Sequence, residues 1–428
     1  MTGEEMFLKE KFGLILFIFF LAVASADAWE PHLAGDAFAP ETLLVVNKEK
    51  QNFFVFSNRS PLQKEYSWQC TTGQAHGSKL VEGDLKTPEG IYFLERRISQ
   101  NLPFDLYGEL AFTLNYPNPI DRIHNRTGHS IWIHGRGREV VPFDTEGCVA
   151  MDMEYMRALE DMVVLSKTPV VIANDITWDP VEIESKNSRK VAKLSQAWAE
   201  DWKVRSDSYF DHYHPDLFPR SSGQSFNNFK AHKKRLFNQY SWIDVFIEEP
   251  KVLEGPGYWV SYFGQVYKAP GFYSKGIKRL YWKPDDDGEF RIVGEEWRSY
   301  PHDYLEQDYL FTRKEEIRSV VSGWRKAWLE ADINKYGSFY HEDAVQGDLK
   351  GIDSILDHKR DIWGRGSLPA GIDLEKINIA FTDQDFRVDF FQSYASATGY
   401  SDYGHKTLIM VPYGDDWLIT KESWSEVR

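Results

Sequence analysis

Cysteine is almost missing from this chain: Cys70 and Cys148 are the only two in 428 residues. So small a count excludes a disulfide framework and leaves one conceivable bridge, Cys70 to Cys148, which an oxidising compartment would permit. Positive charge is also short, with 50 basic against 65 acidic residues and a formal net charge of -15. That balance repels phosphate backbones, so nucleic acid is not an expected partner. No polybasic block suggests a membrane-surface patch. Metal-ligand clusters are likewise missing, and neither a metal nor a cofactor is expected. Long apolar runs are confined to the N-terminus, where Lys9 and Lys11 precede Phe12 to Ala24. This run falls short of the roughly 20 residues that span a bilayer comfortably. Ala24-Ser25-Ala26 or Ala26-Asp27-Ala28 offers a small-residue cleavage site. Residues 1–28 therefore read as a signal peptide, with an uncleaved signal anchor as the alternative. The mature protein is expected to be soluble, with no stable membrane span, in the periplasm or elsewhere in the cell envelope.

What is present is core material: 42% of residues are hydrophobic and 15% aromatic, in a chain long enough for two or three domains. Leu43 to Val46 and Phe53 to Phe56 flank the polar segment Asn47 to Gln51, as in a β-hairpin. Ile91 to Leu94, Ser130 to Ile133 and Thr168 to Ala173 read as further strands, the second ending at His134-Gly135. Met153, Met156, Leu159 and Met162 share one face of a helix predicted over Asp152 to Val164. A mostly β domain is thus expected over 29–182.

The remainder repeats itself. Gln196-Ala197-Trp198 answers Lys326-Ala327-Trp328, and Tyr213-His214-Pro215-Asp216 answers Tyr340-His341-Glu342-Asp343. His232-Lys233-Lys234 answers His358-Lys359-Arg360, and Glu295-Glu296-Trp297 answers Glu422-Ser423-Trp424. Two α+β units follow, at 187–300 and 313–428, each with helices first and long strands after. Their pattern resembles the nuclear transport factor two-like cone, a curved sheet wrapped around helices. The fold class is therefore α+β multidomain. Asp285-Asp286-Asp287-Gly288 reads as a turn between strands, since it lacks the ligand spacing of a calcium loop. The tryptophan pairs Trp198/Trp202 and Trp324/Trp328 read as packing. His214 and His341, present in both copies, read as fold-level residues.

Chemistry concentrates in one stretch. His134-Gly135 stands fourteen positions before Cys148. A free thiol with pKa about 8.5 is only slightly ionised at neutral pH, and a neighbouring imidazole can take its proton. Backbone N–H groups of a tight turn at Gly147-Cys148 would hold an oxyanion. A helix starting near Asp152 would favour a thiolate through its dipole. Taken singly, the cysteine reads as a small buried hydrophobe and the histidine as a satisfied strand end; a glycine beside each tips the pair toward catalysis. Arg136 and Arg138 are candidate substrate-charge residues or exposed structural arginines. Trp132 and Tyr116 either line a groove or belong to the core, and Lys86-Thr87-Pro88 either positions a loop or shapes a turn.

The segment His134 to Met151 resembles the signature of the L,D-transpeptidase (YkuD-type) family, a His-Gly followed by Ser/Thr-x-Gly-Cys. The resemblance extends through Thr72-Gly73, Gly83-Asp84-x-Lys86-Thr87-Pro88-x-Gly90 and Tyr116-Pro117-Asn118, over Leu43 to Asn174. It implies a β-sandwich-like catalytic domain with Cys148 as nucleophile, His134 as base, Gly147 in the oxyanion site and Thr145 as the loop hydroxyl. Gly135, Arg136, Arg138, Tyr116, Trp132 and Lys86 are the substrate-binding candidates. Two positions depart from the pattern: Glu146 replaces a histidine, and Ala150 replaces an arginine that handles substrate charge. This variant resembles the branch with peptidoglycan L,D-carboxypeptidases, some of which carry a cone-fold domain. The expected substrates are peptidoglycan stem tetrapeptides, processed by transpeptidation or carboxypeptidation. The alternative is a non-catalytic protein that only binds peptidoglycan.

Overall fold

The computed structural model describes residues 28–58, 61–183 and 185–427. Apart from Ala28, the segment read as a signal peptide lies outside the described residues. Among the described residues, no helix is long and apolar enough to cross a membrane, and no group of three or more His, Cys, Asp or Glu could hold a metal ion.

The first domain is built on an eight-stranded sheet. Its order is Leu62–Gln69, Asn52–Asn58, Thr42–Asn47, Pro169–Ala173, Gly90–Ile98, Ala111–Leu114, Trp132–Arg136 and Val149–Asp152. The expected hairpin is present, with Thr42–Asn47 and Asn52–Asn58 antiparallel. Alternation along these strands divides their apolar side chains between two cores. Leu44, Val46, Phe53, Tyr92 and Ile133 face one. Leu43, Val45, Phe56, Ile91 and Phe93 face the other. Two details differ from the sequence reading. The strand expected at Ser130 begins at Trp132 and carries His134, Gly135 and Arg136 within it, because Ser130 has φ 58° and turns the chain first. The helix expected from Asp152 runs Met153–Glu160, and a strand separates it from Cys148.

Each of the two following units wraps an antiparallel sheet around helices. In the first, Lys186–Lys203 and Phe226–Gln239 pack against the long strands Tyr258–Ala269, Phe272–Pro284 and Phe290–Ser299. The second opens with the helix Tyr304–Leu329, nine residues before Arg313, and closes with Ser401–Tyr413 and Asp416–Glu426. The Asp285–Gly288 segment is a turn between strands, and Gly414-Asp415 fills the same place in the second unit.

One buried polar network occurs twice. Trp198 Nε1 donates to Tyr213 Oη at 2.9 Å, Tyr213 Oη lies 3.2 Å from Glu295, and Lys278 pairs with Glu295 at 2.6 Å. In the second unit Trp324 donates to Tyr340 at 2.9 Å, Tyr340 to Glu422 at 2.5 Å, and Lys406 pairs with Glu422 at 2.5 Å. Lys233 sits 4.0 Å over Trp202, and Lys359 sits 4.2 Å over Trp328. Trp198 thus corresponds to Trp324 and Trp202 to Trp328, which corrects the alignment of Trp198 with Trp328 by one helical turn. A Trp-x-x-x-Trp pair in both copies makes that slip invisible in sequence. His214 and His341 each accept a backbone N–H with Nδ1, from Asp216 and Asp343, both at 3.2 Å. The interiors have diverged: Phe210, Phe218, Phe229 and Phe237 fill the first, whereas the second keeps a cavity of about 600 Å³ under Trp328, Lys359 and Trp424.

The outer face of the first cone is buried on the first domain. Tyr258, Val260, Tyr262, Tyr281 and Val293 share a core with Ile91, Phe93 and Val171. Arg279, fully buried, reaches Glu95 at 2.5 Å, Glu296 at 3.0 Å and the Ser166 carbonyl at 2.7 Å. The second unit is joined to the first by Arg313, which grips Asp244 through two bonds of 2.7 and 3.0 Å, both side chains being buried. Removing one partner of such a pair strands a buried charge. Asp244→Ala is therefore expected to cost on the order of 3–5 kcal/mol, seen in chemical denaturation as an early transition; Arg318→Ala, at an exposed pair, should leave the curve within about 0.5 kcal/mol of the parent.

Candidate active site

Trp132–Arg136 and Val149–Asp152 run parallel at the edge of the catalytic sheet, with Ile133 opposite Val149 and His134 opposite Ala150. Adjacent strands lie about 4.8 Å apart, and residues two apart face the same side. Cys148, two residues before Ala150, is therefore brought to the side of the sheet that bears His134. Both residues line one cavity of about 530 Å³.

The imidazole is held from two directions. His134 Nδ1 lies 2.8 Å from the Gly135 carbonyl, a contact that requires Nδ1 to carry the hydrogen and leaves the lone pair on Nε2. The Tyr107 ring packs edge-on against it at 4.9 Å. Burial lowers the imidazole to about 4, so it is a neutral base at ordinary pH. The Cys148 thiol donates to the Ser130 carbonyl at 3.5 Å. Enclosure pushes it up to about 11, opposed by the Trp132 backbone N–H. The resting site thus holds a thiol and a neutral imidazole in the wall of one cavity. The expected help from a helix dipole is not available, because Met153–Glu160 starts beyond the intervening strand. Both cysteines are free. Cys70 is buried in the sheet core, where desolvation raises its thiol far above the usual range.

The turn before Cys148 is tightly specified. Thr145 Oγ1 donates to the Cys148 carbonyl at 2.7 Å and accepts the Gly147 N–H at 3.2 Å. Gly147 has φ 128°, and a Cβ there would lie 2.8 Å from the Lys86 carbonyl, so no other residue fits without strain. Because Thr145 holds the Gly147 N–H, the donor expected for an oxyanion is engaged in the resting state. The Trp132 N–H, which faces the sulfur, is a donor that sequence reasoning missed.

The other candidates are distributed unevenly. Arg136 and Arg138 line the cavity, and both pair with Asp144, Arg138 at 3.0 Å. The Arg136 hydrogen bond holds the Asp144 carboxyl below its usual range. Gly135 is structural support: its backbone holds the imidazole, and a Cβ would strike Met153 Sδ at 2.0 Å. Lys86 presents its carbonyl to Gly147, while its amine lies toward Gly77. Tyr116 donates to the Thr127 carbonyl at 3.0 Å, and with Trp132 it lines a neighbouring cavity rather than the one holding Cys148. Tyr107, Ser130 and Asp144 carried no sequence signal, since each acts through contacts with residues distant in the chain or through its backbone.

Residues 41–172 match the YkuD family, the L,D-transpeptidase catalytic domain, and residues 190–296 and 316–423 match the Cds6 C-terminal NTF2-like domain. The chain carries a YkuD-family L,D-transpeptidase catalytic domain followed by two NTF2-like domains of the Cds6 C-terminal family. Its α+β multidomain class follows. The chain is 34% identical over 82 residues to YafK of Escherichia coli K12, a protein named with the L,D-transpeptidases. That stretch is 19% of this chain and 30% of YafK, so the chain spans about a third of that relative. Bd1075 of Bdellovibrio bacteriovorus is 30% identical, with 62% of this chain and 94% of that one covered at a TM-score of 0.47. Pgp2 of Campylobacter jejuni, described as a helical cell shape determining protein, is 26% identical, with 60% and 92% covered at a TM-score of 0.48.

Two outcomes follow for the site. An imidazole can accept a proton only while it is neutral, so His134 is available as a base above its folded pKa and not below it. The profile of kcat/KM against pH should stay level on its acid side until it falls as pH drops through about 4, and a limb near 6.5 would refute the buried neutral imidazole. Thr145→Val leaves the Gly147 N–H unpaired, a loss of about 1–3 kcal/mol. It should lower kcat/KM by about tenfold or more, and Thr145→Ser should restore most of it.

Proposed function

We propose that the chain is a cysteine acyltransferase acting on peptidoglycan stem tetrapeptides through a thioester on Cys148. The observation that carries this reading is one cavity lined both by a thiol, on the turn just before Val149–Asp152, and by a neutral imidazole with Nε2 free to accept, on the strand parallel to it. As the sulfur attacks the carbonyl of the third stem residue, its proton passes to His134 Nε2 and the C–S bond forms. The tetrahedral intermediate collapses, the C–N bond breaks, and the imidazolium protonates the departing amine of the terminal D-alanine. His134 then takes a proton from the incoming nucleophile, whose attack releases the thiol. Water as nucleophile gives a tripeptide, and the amine of a second stem gives a cross-link. Neither route calls for a metal or cofactor. An exported protein in the periplasm or cell envelope suits this substrate.

The proton moves during attack, because a pair poised at about 4 and about 11 does not exchange it beforehand. The backbone N–H of Trp132, already directed at the sulfur, is suited to stabilising negative charge there. Arg136 and Arg138, both tied to Asp144, shape the cavity wall.

Incubation of the purified chain with defined tetrapeptide muropeptides should yield tripeptide monomers or new dimers, and the product separated identifies the acceptor. Cys148→Ala should abolish both products and covalent labelling by a carbapenem-type acylating probe. No product and no labelling from the wild-type chain, with Cys148→Ala no different, would leave only the reading of a protein that binds peptidoglycan without acting on it.

A further inference from the structure

A second cavity, of about 610 Å³, adjoins the one holding the nucleophile. The two share His129 and Ser130 in their walls, and Ser130 supplies the carbonyl that accepts the thiol hydrogen. The second cavity therefore opens one residue from the reacting sulfur. Two domains build it: Arg96 and Asn115 come from the catalytic sheet, Arg298 and Ser299 from the last strand of the first cone.

Charge differs between the two cavities. Around Cys148 it is balanced, with Lys79, Arg136 and Arg138 against Glu82, Asp144 and Glu146. The second cavity is lined by the guanidinium groups of Arg96 and Arg298 against the one carboxylate Glu95, and the buried Arg279 behind them pairs with Glu95 and Glu296. Glu95 is shared, 2.5 Å from Arg279 and 2.6 Å from Arg298. Arg298 touches Glu95 through Nε, places one terminal nitrogen 3.0 Å from the Trp297 carbonyl and the other 3.9 Å from Glu296, and keeps 41% of its side chain exposed. Arg96 is exposed on the same wall. The excess charge is thus positive, is borne by guanidinium groups suited to carboxylates, and lies beside the nucleophile.

We propose that this second cavity is a carboxylate subsite of the active centre, in which Arg298 and Arg96 hold a free carboxylate of the peptide that Cys148 attacks. The inference rests on the acyl-transfer reading and extends it: the first cone contributes a binding residue as well as support. It also gives a place for substrate charge in a chain whose position two after the cysteine is the buried Ala150.

The test uses stem tetrapeptides in which each carboxyl group in turn is amidated, with the wild-type chain, Arg96→Gln, Arg298→Gln and Arg298→Lys. One amidated peptide should show KM raised about tenfold with kcat little changed, the size expected for loss of a charge-assisted contact. Arg96→Gln and Arg298→Gln should raise KM for the free peptide and no longer distinguish that analogue, and Arg298→Lys should recover part of the difference. Arg96 is exposed, so its variant tests the subsite without disturbing the domain junction. Wild-type discrimination retained in full by both glutamine variants would overturn the proposal. Binding of the same panel to the Cys148→Ala chain separates this from the underlying reading. Carboxylate-dependent binding without wild-type turnover would sink acyl transfer and leave the subsite standing; indifference to every carboxylate would sink the subsite alone.

Discussion

The site depends on a parallel pairing of two short edge strands. Parallel neighbours cannot be joined by a tight turn, so the chain between Arg136 and Val149 must make a long return. That return carries Asp144, Thr145, Gly147 and Cys148. Its shape is enforced by bonds to residues far away: Thr71 Oγ1 accepts the Asp144 N–H at 2.9 Å, and the Gln51 side-chain Oε1 accepts the Phe143 N–H at 3.0 Å. The register that puts His134 opposite Ala150 thus sets where the sulfur stands relative to the imidazole. A slip of one residue would turn either side chain to the opposite face.

Rigidity around that register comes from the first cone. Asn115, just past the strand Ala111–Leu114 that pairs with the strand of His134, is anchored to Glu296 at 2.8 Å and Tyr281 at 3.1 Å, both of the cone. The Arg279 guanidinium packs 4.0 Å from the Phe93 ring while bonding to both domains. A buried arginine costs desolvation that hydrogen-bonded acceptors must offset, and here Glu95, Glu296 and the Ser166 carbonyl supply them to the terminal nitrogens from both sides of the junction, while Nε has no partner. Domains tied this way do not hinge freely, so a groove walled by both keeps its shape. The second cone shares the buried Trp-Tyr-Glu-Lys network but lacks the phenylalanines that fill the first. One ancestral frame has therefore become a closed support in one copy and an open cavity in the other.

Much of the frame was legible because its signals are local. The β-hairpin, the strand at Ile91 and the turn at Asp285 follow from alternation and turn residues. The repeat was legible because four short motifs recur in order. The four-residue slip at Trp198 shows the limit: two tryptophans one turn apart offer two equivalent alignments, and only the hydrogen bonds to Tyr213 and Tyr340 distinguish them. The helix begins at Met153 with Asp152 as its N-cap, as its spacing indicates, whereas the strand Val149–Asp152 that separates it from Cys148 is set by pairing with Ile133 to Arg136 and carried no local signal. Lys86 and Gly135 were read as ligand contacts; a Cβ at Gly147 would meet the Lys86 carbonyl and one at Gly135 would meet Met153, close approaches that no spacing in the sequence announces. Tyr107 and Ser130 had no motif to mark them.

By itself the sequence determined the chemistry available: one cysteine and one histidine flanked by glycines, a threonine in the turn, and a duplicated unit downstream. These are properties of residue type and spacing, which local sterics and side-chain chemistry fix. Tertiary structure alone decided which charges meet. Arg136 and Arg138 are neutralised by Asp144, while Arg298, 150 residues after Cys148 in the chain, enters a cavity that shares Ser130 with the nucleophile. Contacts between distant segments depend on how sheets and domains pack, and burial there sets the protonation of His134 and Cys148, which no spacing of residues encodes.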